Sequence, residues 1–467
     1  MQERAGDYYE NREMASSVKR YELLRKAGVF AYFDVEEFEN IVNFYIDNNQ
    51  LKKAQGACLS GLSIHPTASE LKLKNAQLHV ALGNPNEAIQ WLTKVNELND
   101  HSHEFHLTKG MAMVLLGAME KAEAHFDRAL AISILDEKED TLYNIGEALE
   151  NSGNFYLAIK YYQLGNQLFP NNEEFLFRLG FCYDRMAEFD QSIGAYQRYL
   201  DINPFSENVW YNIGIIYNKV EQFNNAVEAY DYAIALDGTH YDALFNKANS
   251  LANAEKHHEA IETYKEYLSI YENSLTALYY IGECYIQLKD YEAALQNFDA
   301  ILKENKDFSE AYYGKALVYD ELEQFDAAIA SYKKTIELDG ENTDAWFSLG
   351  NLYNKLERDL DALEAYEQTL KHNKFDIEAW LAYAKTYFIL GKAADSIRII
   401  NEAIDYMPDY SELLYALSAY YMASNDLASG LKWFAYAFKI DPENYIQVFE
   451  IYPKAKDLAE IQQIINT

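Results

Sequence analysis

Cysteine and proline are scarce in this chain, at three and seven of its 467 residues, and each scarcity excludes something. Cys58, Cys182 and Cys284 are too few and too far apart for a disulfide framework, which leaves them as small core residues suited to a reducing compartment. No Pro-, Gly- or Ser-rich linker interrupts a length that would ordinarily suggest about three domains, so one continuous array is the simpler expectation. Basic residues are in deficit, 40 against 74 acids, and the resulting charge of −34 argues against nucleic acid as a ligand. Long apolar runs are missing as well. The longest mostly apolar stretch, Gly110 to Met119, is too short to span a bilayer, and Met1-Gln2-Glu3-Arg4 does not open a signal peptide. The expected location is therefore the cytoplasm, without membrane contact.

Catalytic signatures are missing too. There is no phosphate loop ending in Gly-Lys-Ser/Thr, no Gly-x-Ser-x-Gly elbow and no Cys-x-x-Cys pair. His101, His103 and His106 have ligand-like spacing, but zinc needs a fourth ligand in fixed geometry, and these residues straddle a loop and a helix start. They are read as solvent-exposed, and His257-His258 as part of an inter-helix turn. No metal, cofactor or enzymatic activity is expected.

What the chain does have is a period. Every 34 residues a small residue returns, at Gly146, Gly180, Gly214, Ala248, Gly282, Ala316, Gly350, Ala384 and Ser418. Counting this residue as position 8, the earlier members are Val42, Ala76 and Gly110. The step from Gly110 to Gly146 is two residues longer, an excess assigned to a loop at Ile134 to Glu139. A second small residue, such as Ala158 or Ala226, follows twelve positions on in each copy. Tyrosine recurs at positions 11 and 24, tryptophan at position 4 as Trp210, Trp346 and Trp380, and proline at position 32 as in Pro170 and Pro204. A gapless period of this length predicts about twelve stacked helix–turn–helix units, an all-α solenoid. The tail and an amphipathic helix over Met14 to Ala27, with Val18, Tyr21, Leu23 and Leu24 on one side, make up residues 1–33. The repeats follow over 34–442, opened by a capping box of Asp34 and Glu37, and Tyr445, Val448, Phe449 and Ile451 suggest a lid over 443–467.

The run Trp210-Tyr211-Asn212-Ile213-Gly214, followed by Tyr217, Phe223, Ala226, Tyr230, Ala233 and Gly238, resembles the tetratricopeptide repeat. The likeness covers roughly Val35 to Pro442 and is weakest at Val42 and Lys72. It implies a right-handed superhelix with capping helices, and first helices lining a concave groove through positions 2, 5, 9, 12 and 13. Position 5 then supplies an aromatic row that includes Tyr143, Phe177, Tyr211, Phe245, Tyr279, Tyr313 and Phe347, residue types that protein-binding surfaces enrich. Asn212, Asn218, Asn246, Asn249 and Asn253 face or border the same groove in repeats six and seven, and an amide can grip the backbone of an extended peptide. Both sets also have a structural reading, as consensus residues packing neighbouring helices. The family's two-carboxylate clamp does not fit, because no position 5 is Lys and position 2 is mostly acidic. Arg185, Lys219, Lys355 and Lys385 are scattered cations able to pair with isolated acids.

The expected function is a non-catalytic protein–protein interaction scaffold whose groove takes a segment with apolar anchors and net positive charge. The alternative is a structural or oligomeric adaptor working through its convex or terminal faces. A more remote one is the regulatory part of an enzyme whose other domains lie outside this sequence.

Overall fold

The computed structural model describes residues 17–28, 32–95 and 102–466, and these contain helices, turns and irregular segments but no strand. The residues before 17, which hold the charged tail, lie outside it. The chain divides into two compact units, Met1–Gly238 and Thr239–Thr467. Each is a stack of helical hairpins: six between Val35 and Leu236 in the first unit, six between Tyr241 and Ile440 in the second. A typical hairpin pairs Glu207–Lys219 with Phe223–Leu236.

Position 8 meets position 24. A Cβ added to Gly180, Gly214, Gly282 or Gly350 would fall 2.5–2.6 Å from the ring of Tyr196, Tyr230, Phe298 or Tyr366 respectively. Gly110 under Phe126 and Gly146 under Tyr162 repeat the arrangement. The ring from the second helix thus lies on the bare backbone of the first, and the missing side chain lets the two helices close up. Position 8 carries a side chain where position 24 is aliphatic or small, as in Ala76 with Leu92, Ala384 with Ile400 and Val42 with Cys58, and a small one, Ala248, Ala316 or Ser418, opposite Tyr264, Tyr332 and Phe434, all buried. Position 20 adds a polar version of the same contact, with Ser192 Oγ donating to Gly180 O at 2.5 Å and Ser396 Oγ to Ala384 O at 2.9 Å.

The turn inside each hairpin is equally regular. Position 15 has a positive φ in all twelve hairpins, from Asn49 and Gly83 to Gly391 and Asn425, and only Gly83, Gly117, Gly153 and Gly391 carry the residue that adopts it freely. The following N–H reaches back to the carbonyl at position 11, as in Gln222 N to Tyr217 O at 2.8 Å and Arg358 N to Tyr353 O at 2.8 Å, closing the helix with a Schellman bond. Between hairpins the position-4 tryptophans act as braces. Trp210, Trp346 and Trp380 each donate Nε1–H to the carbonyl six residues earlier, at Pro204, Gly340 and Lys374.

Asp34 and Glu37 form the reciprocal capping box, at 2.8 and 3.1 Å. The segment expected as a loop at Ile134 to Glu139 is helical instead. Leu135–Asn151 is a single 17-residue helix, so the two extra residues lengthen its start. Of a capping box there, only the half in which Ile134 N–H donates to the Glu137 carboxylate exists, since an isoleucine side chain accepts nothing. The N-terminal helix spans 17–26 and buries Val18 and Tyr21, whereas Leu23, expected on the same side, is 68% exposed. At the other end Val448, Ala455 and Ile461 pack on Leu414, Tyr415 and Phe434. Pro453 opens a short 3-10 turn before the last helix, Ala459–Ile465.

Burial pushes the Cys182 thiol up to about 12, with Glu150 adding to the shift, and Cys284 up to about 11. Tyr196, Tyr230 and Tyr264 are also raised, mainly by desolvation. Groups whose folded pKa exceeds the unfolded value contribute stability in full below the unfolded pKa and lose it as pH rises. Urea melts at fixed temperature should therefore show no loss from these groups up to roughly pH 8.5, the ordinary thiol value, and a progressive one above it. A midpoint rising through pH 9 to 11 would contradict this burial.

The ring-on-glycine contact makes a second prediction. Gly214→Leu should destabilise by about 3 kcal/mol and Gly214→Ala by about 1, the usual range for overpacking. The alanine cost should shrink in the Tyr230→Leu background, where the ring that alanine would meet is gone. Simple additivity of the two changes in thermal or urea melts would show that positions 8 and 24 do not share the contact.

Candidate functional site

The aromatic row at position 5 turns toward the hairpin interior. Tyr143, Phe177, Tyr211, Phe245, Tyr279, Tyr313 and Phe347 each pack on the position-24 ring of the same repeat, with centroids 5.8–6.4 Å apart. Each is half-buried. Three of the five asparagines, Asn212, Asn218 and Asn249, serve the same buried rings. Asn218 Nδ2 donates to Tyr230 Oη at 3.0 Å, Asn212 Nδ2 lies 3.5 Å from Tyr196 Oη, and Tyr264 Oη donates to Asn249 Oδ1. Tyr366 shows the full pattern, accepting from Asn354 at position 12 and donating to Asn351 at position 9. A phenol buried under a helix needs such partners, which the polar residues of the first helix supply. Repeats six and seven belong to separate units. Tyr211, Asn212 and Asn218 lie together in the first, and Phe245, Asn246, Asn249 and Asn253 in the second.

Three of the four cations expected on this face are engaged within the chain, and Lys385 is exposed. Lys219 Nζ meets Asp184 at 2.7 Å and Lys355 Nζ meets Asp320 at 3.1 Å, each joining position 13 of one repeat to position 12 of the repeat before it. Arg185 lies over the Phe155 ring at 5.6 Å. Arg178 holds Glu150 at 3.1 Å and Glu174 at 3.0 Å while its Nη2 donates to Tyr143 Oη. The guanidinium is thereby enclosed by two carboxylates and a ring 5.3 Å away.

Each unit has an open cavity on the first-helix face. In the first unit it measures about 360 Å³ and is walled by Gln77, Val80, Met111, Val114, Leu115, Asn144, Glu147 and Ala148, mostly positions 6, 9, 12 and 13 of repeats two to four. In the second it measures about 830 Å³ and is polar, with Asn249, Asn253, Glu255, His257, Tyr264, Tyr280, Glu283, Cys284 and Gln287 around it. Asn249 and Asn253 were singled out by sequence. Tyr280, Glu283 and Gln287 were not, although they stand at positions 6, 9 and 13. Following the register itself, rather than the asparagines and rings along it, would have found them.

His257 is the first residue of helix His257–Ile270 and its Nδ1 has no hydrogen-bond partner. Burial raises the Glu283 carboxyl above its ordinary value, against a hydrogen bond from Tyr279 Oη at 2.7 Å that lowers it. Of the histidine trio, His101 lies outside the described residues and His103 Nδ1 is 3.2 Å from Glu137. His106 is half-buried, not solvent-exposed, with its Nδ1 3.0 Å from that of His125. No cluster of three metal-ligating side chains occurs among the described residues.

Several family profiles match the chain in succession. Three profiles described as "Tetratricopeptide repeat" match residues 73–137, 174–206, and 139–172 with 207–240. The profile of the "Cilia and flagella-associated protein 70 C-terminal domain" matches 239–443. No curated relative matches the chain. Among solved structures, MamA is 24% identical over 35% of this chain and 95% of its own, with a TM-score of 0.30. A MamA fragment from Desulfovibrio magneticus RS-1 is 21% identical over 36% and 95%, with a TM-score of 0.32. Naa15/Naa10 bound to HypK-THB is 16% identical over 85% of this chain and 67% of that one, with a TM-score of 0.40.

The tyrosine–asparagine bonds are open to a stability measurement. Asn218→Ala removes the donor to a fully buried phenol and should cost about 1–2 kcal/mol in urea melts. An unchanged melt would leave Asn218 without that structural role.

Proposed function

The chain belongs to the tetratricopeptide-repeat proteins, and from that premise we propose that it is a non-catalytic interaction scaffold taking a partner segment on the first-helix faces of its two units. The observation that carries this reading is positional. Two separate units, with different side chains, each open a cavity at the same repeat positions, 6, 9, 12 and 13. The first is walled largely by Val80, Met111, Val114 and Leu115 and suits an apolar anchor, while the −34 charge favours a partner of net positive charge. The half-exposed edges of the position-5 rings, Tyr143 and Phe177 in the first unit and Tyr279, Tyr313 and Phe347 in the second, flank that face. No described helix is long and apolar enough to cross a membrane. The three cysteines are buried and unpaired, which suits the reducing cytoplasm we assign.

A second reading rests on one specific feature. Ile404, Pro408, Leu414, Trp433 and Tyr436 wall an apolar cavity of about 540 Å³, with Lys432 and Lys439 at its edge. It involves mainly second helices of the last repeats, the side an adaptor would use instead.

Cross-linking mass spectrometry on captured complexes separates the two, since links should cluster around repeats two to four and seven to eight if the first-helix faces bind. Leu115 is 49% exposed, so Leu115→Glu should leave the melt unchanged yet weaken the captured partner's binding about tenfold, or about 1.4 kcal/mol. Undiminished affinity, with links confined to the Trp433 cavity, would transfer the function to the adaptor reading.

A further inference from the structure

The polar cavity of the second unit contains an acid without a counter-ion. Glu283 is held by the Tyr279 hydroxyl, and no lysine or arginine pairs with it among the described residues. Around it are ring faces, acceptors and the amides of Asn249, Asn253 and Gln287, whose oxygens can also accept. Glu255 stands at the turn, the unpartnered Nδ1 of His257 accepts in the Nε2–H tautomer, and Tyr264 and Tyr280 lie with their rings 11° from parallel, centroids 5.9 Å apart.

The chain itself shows what such a set holds. Between repeats four and five the guanidinium of Arg178, at position 6, sits against the position-12 carboxylate of Glu150 and the ring and hydroxyl of Tyr143. Between repeats seven and eight those positions are Ala252 and Tyr280, so the internal guanidinium is missing. Alanine at position 12 leaves room, and the carboxylate comes instead from Glu283 at position 9.

We propose that this cavity is a receptor for a guanidinium group, an arginine side chain of the partner segment, with Glu283 as its counter-ion and Tyr280 as the wall on which the planar group stacks. The proposal rests on the first-helix face being the binding face. A planar fork with five donors suits a carboxylate flanked by acceptors and aromatic faces, whereas a lysine ammonium would meet the charge and use less of the rest. The cavity, about 830 Å³, has room for the side chain and the backbone on either side of it.

The probe is a fluorescein-labelled Ala-Ala-Arg-Ala-Ala peptide, titrated with the full chain and read by anisotropy, beside its Lys counterpart and with free L-arginine as competitor. Glu283→Gln keeps an acceptor for Tyr279 and should weaken the Arg peptide at least fivefold. Glu304→Gln, an equal charge change at an exposed site, should leave it unaltered. Ala252→Phe, which fills the cavity without touching charge, should also abolish binding, and the Lys peptide should bind at least threefold more weakly. Competition by L-arginine at the peptide's own affinity would make the ligand a free guanidinium compound and overturn the partner-segment assignment. Equal binding by wild type and Glu283→Gln, equal loss in Glu304→Gln, or no binding at all would overturn the site. Such a failure beside a defect in Leu115→Glu would refute the guanidinium receptor alone, since that variant reads the face in the other unit.

Discussion

The contact on which half of the hairpins depend is an aromatic ring laid on the backbone of the facing helix where a side chain has been removed. It fixes the distance between the two helices, because tyrosine or phenylalanine at position 24 has nowhere else to go once position 8 is bare. Close approach buries the phenol, a buried phenol needs a hydrogen-bond partner, and positions 6, 9 and 12 provide it. The first-helix face is consequently half committed before any ligand arrives. What it can offer a partner is what remains between the polar groups that serve the rings.

This explains how far the sequence could be read. The period, the hairpins, the small residues and the Asp34–Glu37 box were all legible because each is a local pattern of size or capping. The destination of the position-5 rings was not. An aromatic at that position can lie inward on its own repeat or outward to a ligand with the same spacing, and what decides the matter is the buried position-24 ring across the hairpin, which takes the position-5 ring against it whether position 8 is Gly or Ala. The asparagines were ambiguous for a related reason, since an amide that satisfies a tyrosine and one that grips a peptide look alike in one dimension. Ile134 to Glu139 misled because two extra residues between repeats suggest a loop, whereas Asp136 and Glu137 suit the first turn of a helix and extend it. The acid at Glu283 went unnoticed among 74 acids, although its place in the register marks it.

Charge on this face is organised from repeat to repeat. Lys219 and Lys355 reach back to the aspartates of the preceding hairpins, and Arg178 ties repeat five to repeat four. These pairs are partly exposed, so each is worth less than its short distance suggests. Their larger effect is on recognition. They neutralise the face's own cations locally and leave the surplus acid to set the field that an approaching partner meets.

The left-handed residue at position 15 gives the array a property of another kind. Six of the twelve turns place an ordinary side chain, among them Ala187, Glu221 and Glu255, in a conformation that costs an L-residue about 1 kcal/mol or more, while Asn49 and Asn425 tolerate it better. Glycine at the same point, as in Gly153 and Gly391, carries no such load. The turns therefore act as a set of graded tensioners: one substitution away from the packing tightens or slackens a single hairpin while its neighbours keep their settings. Local fraying can in this way be distributed along the stack independently of the surface it displays, and Glu255, at the rim of the polar cavity, sits on one of the tensioned turns.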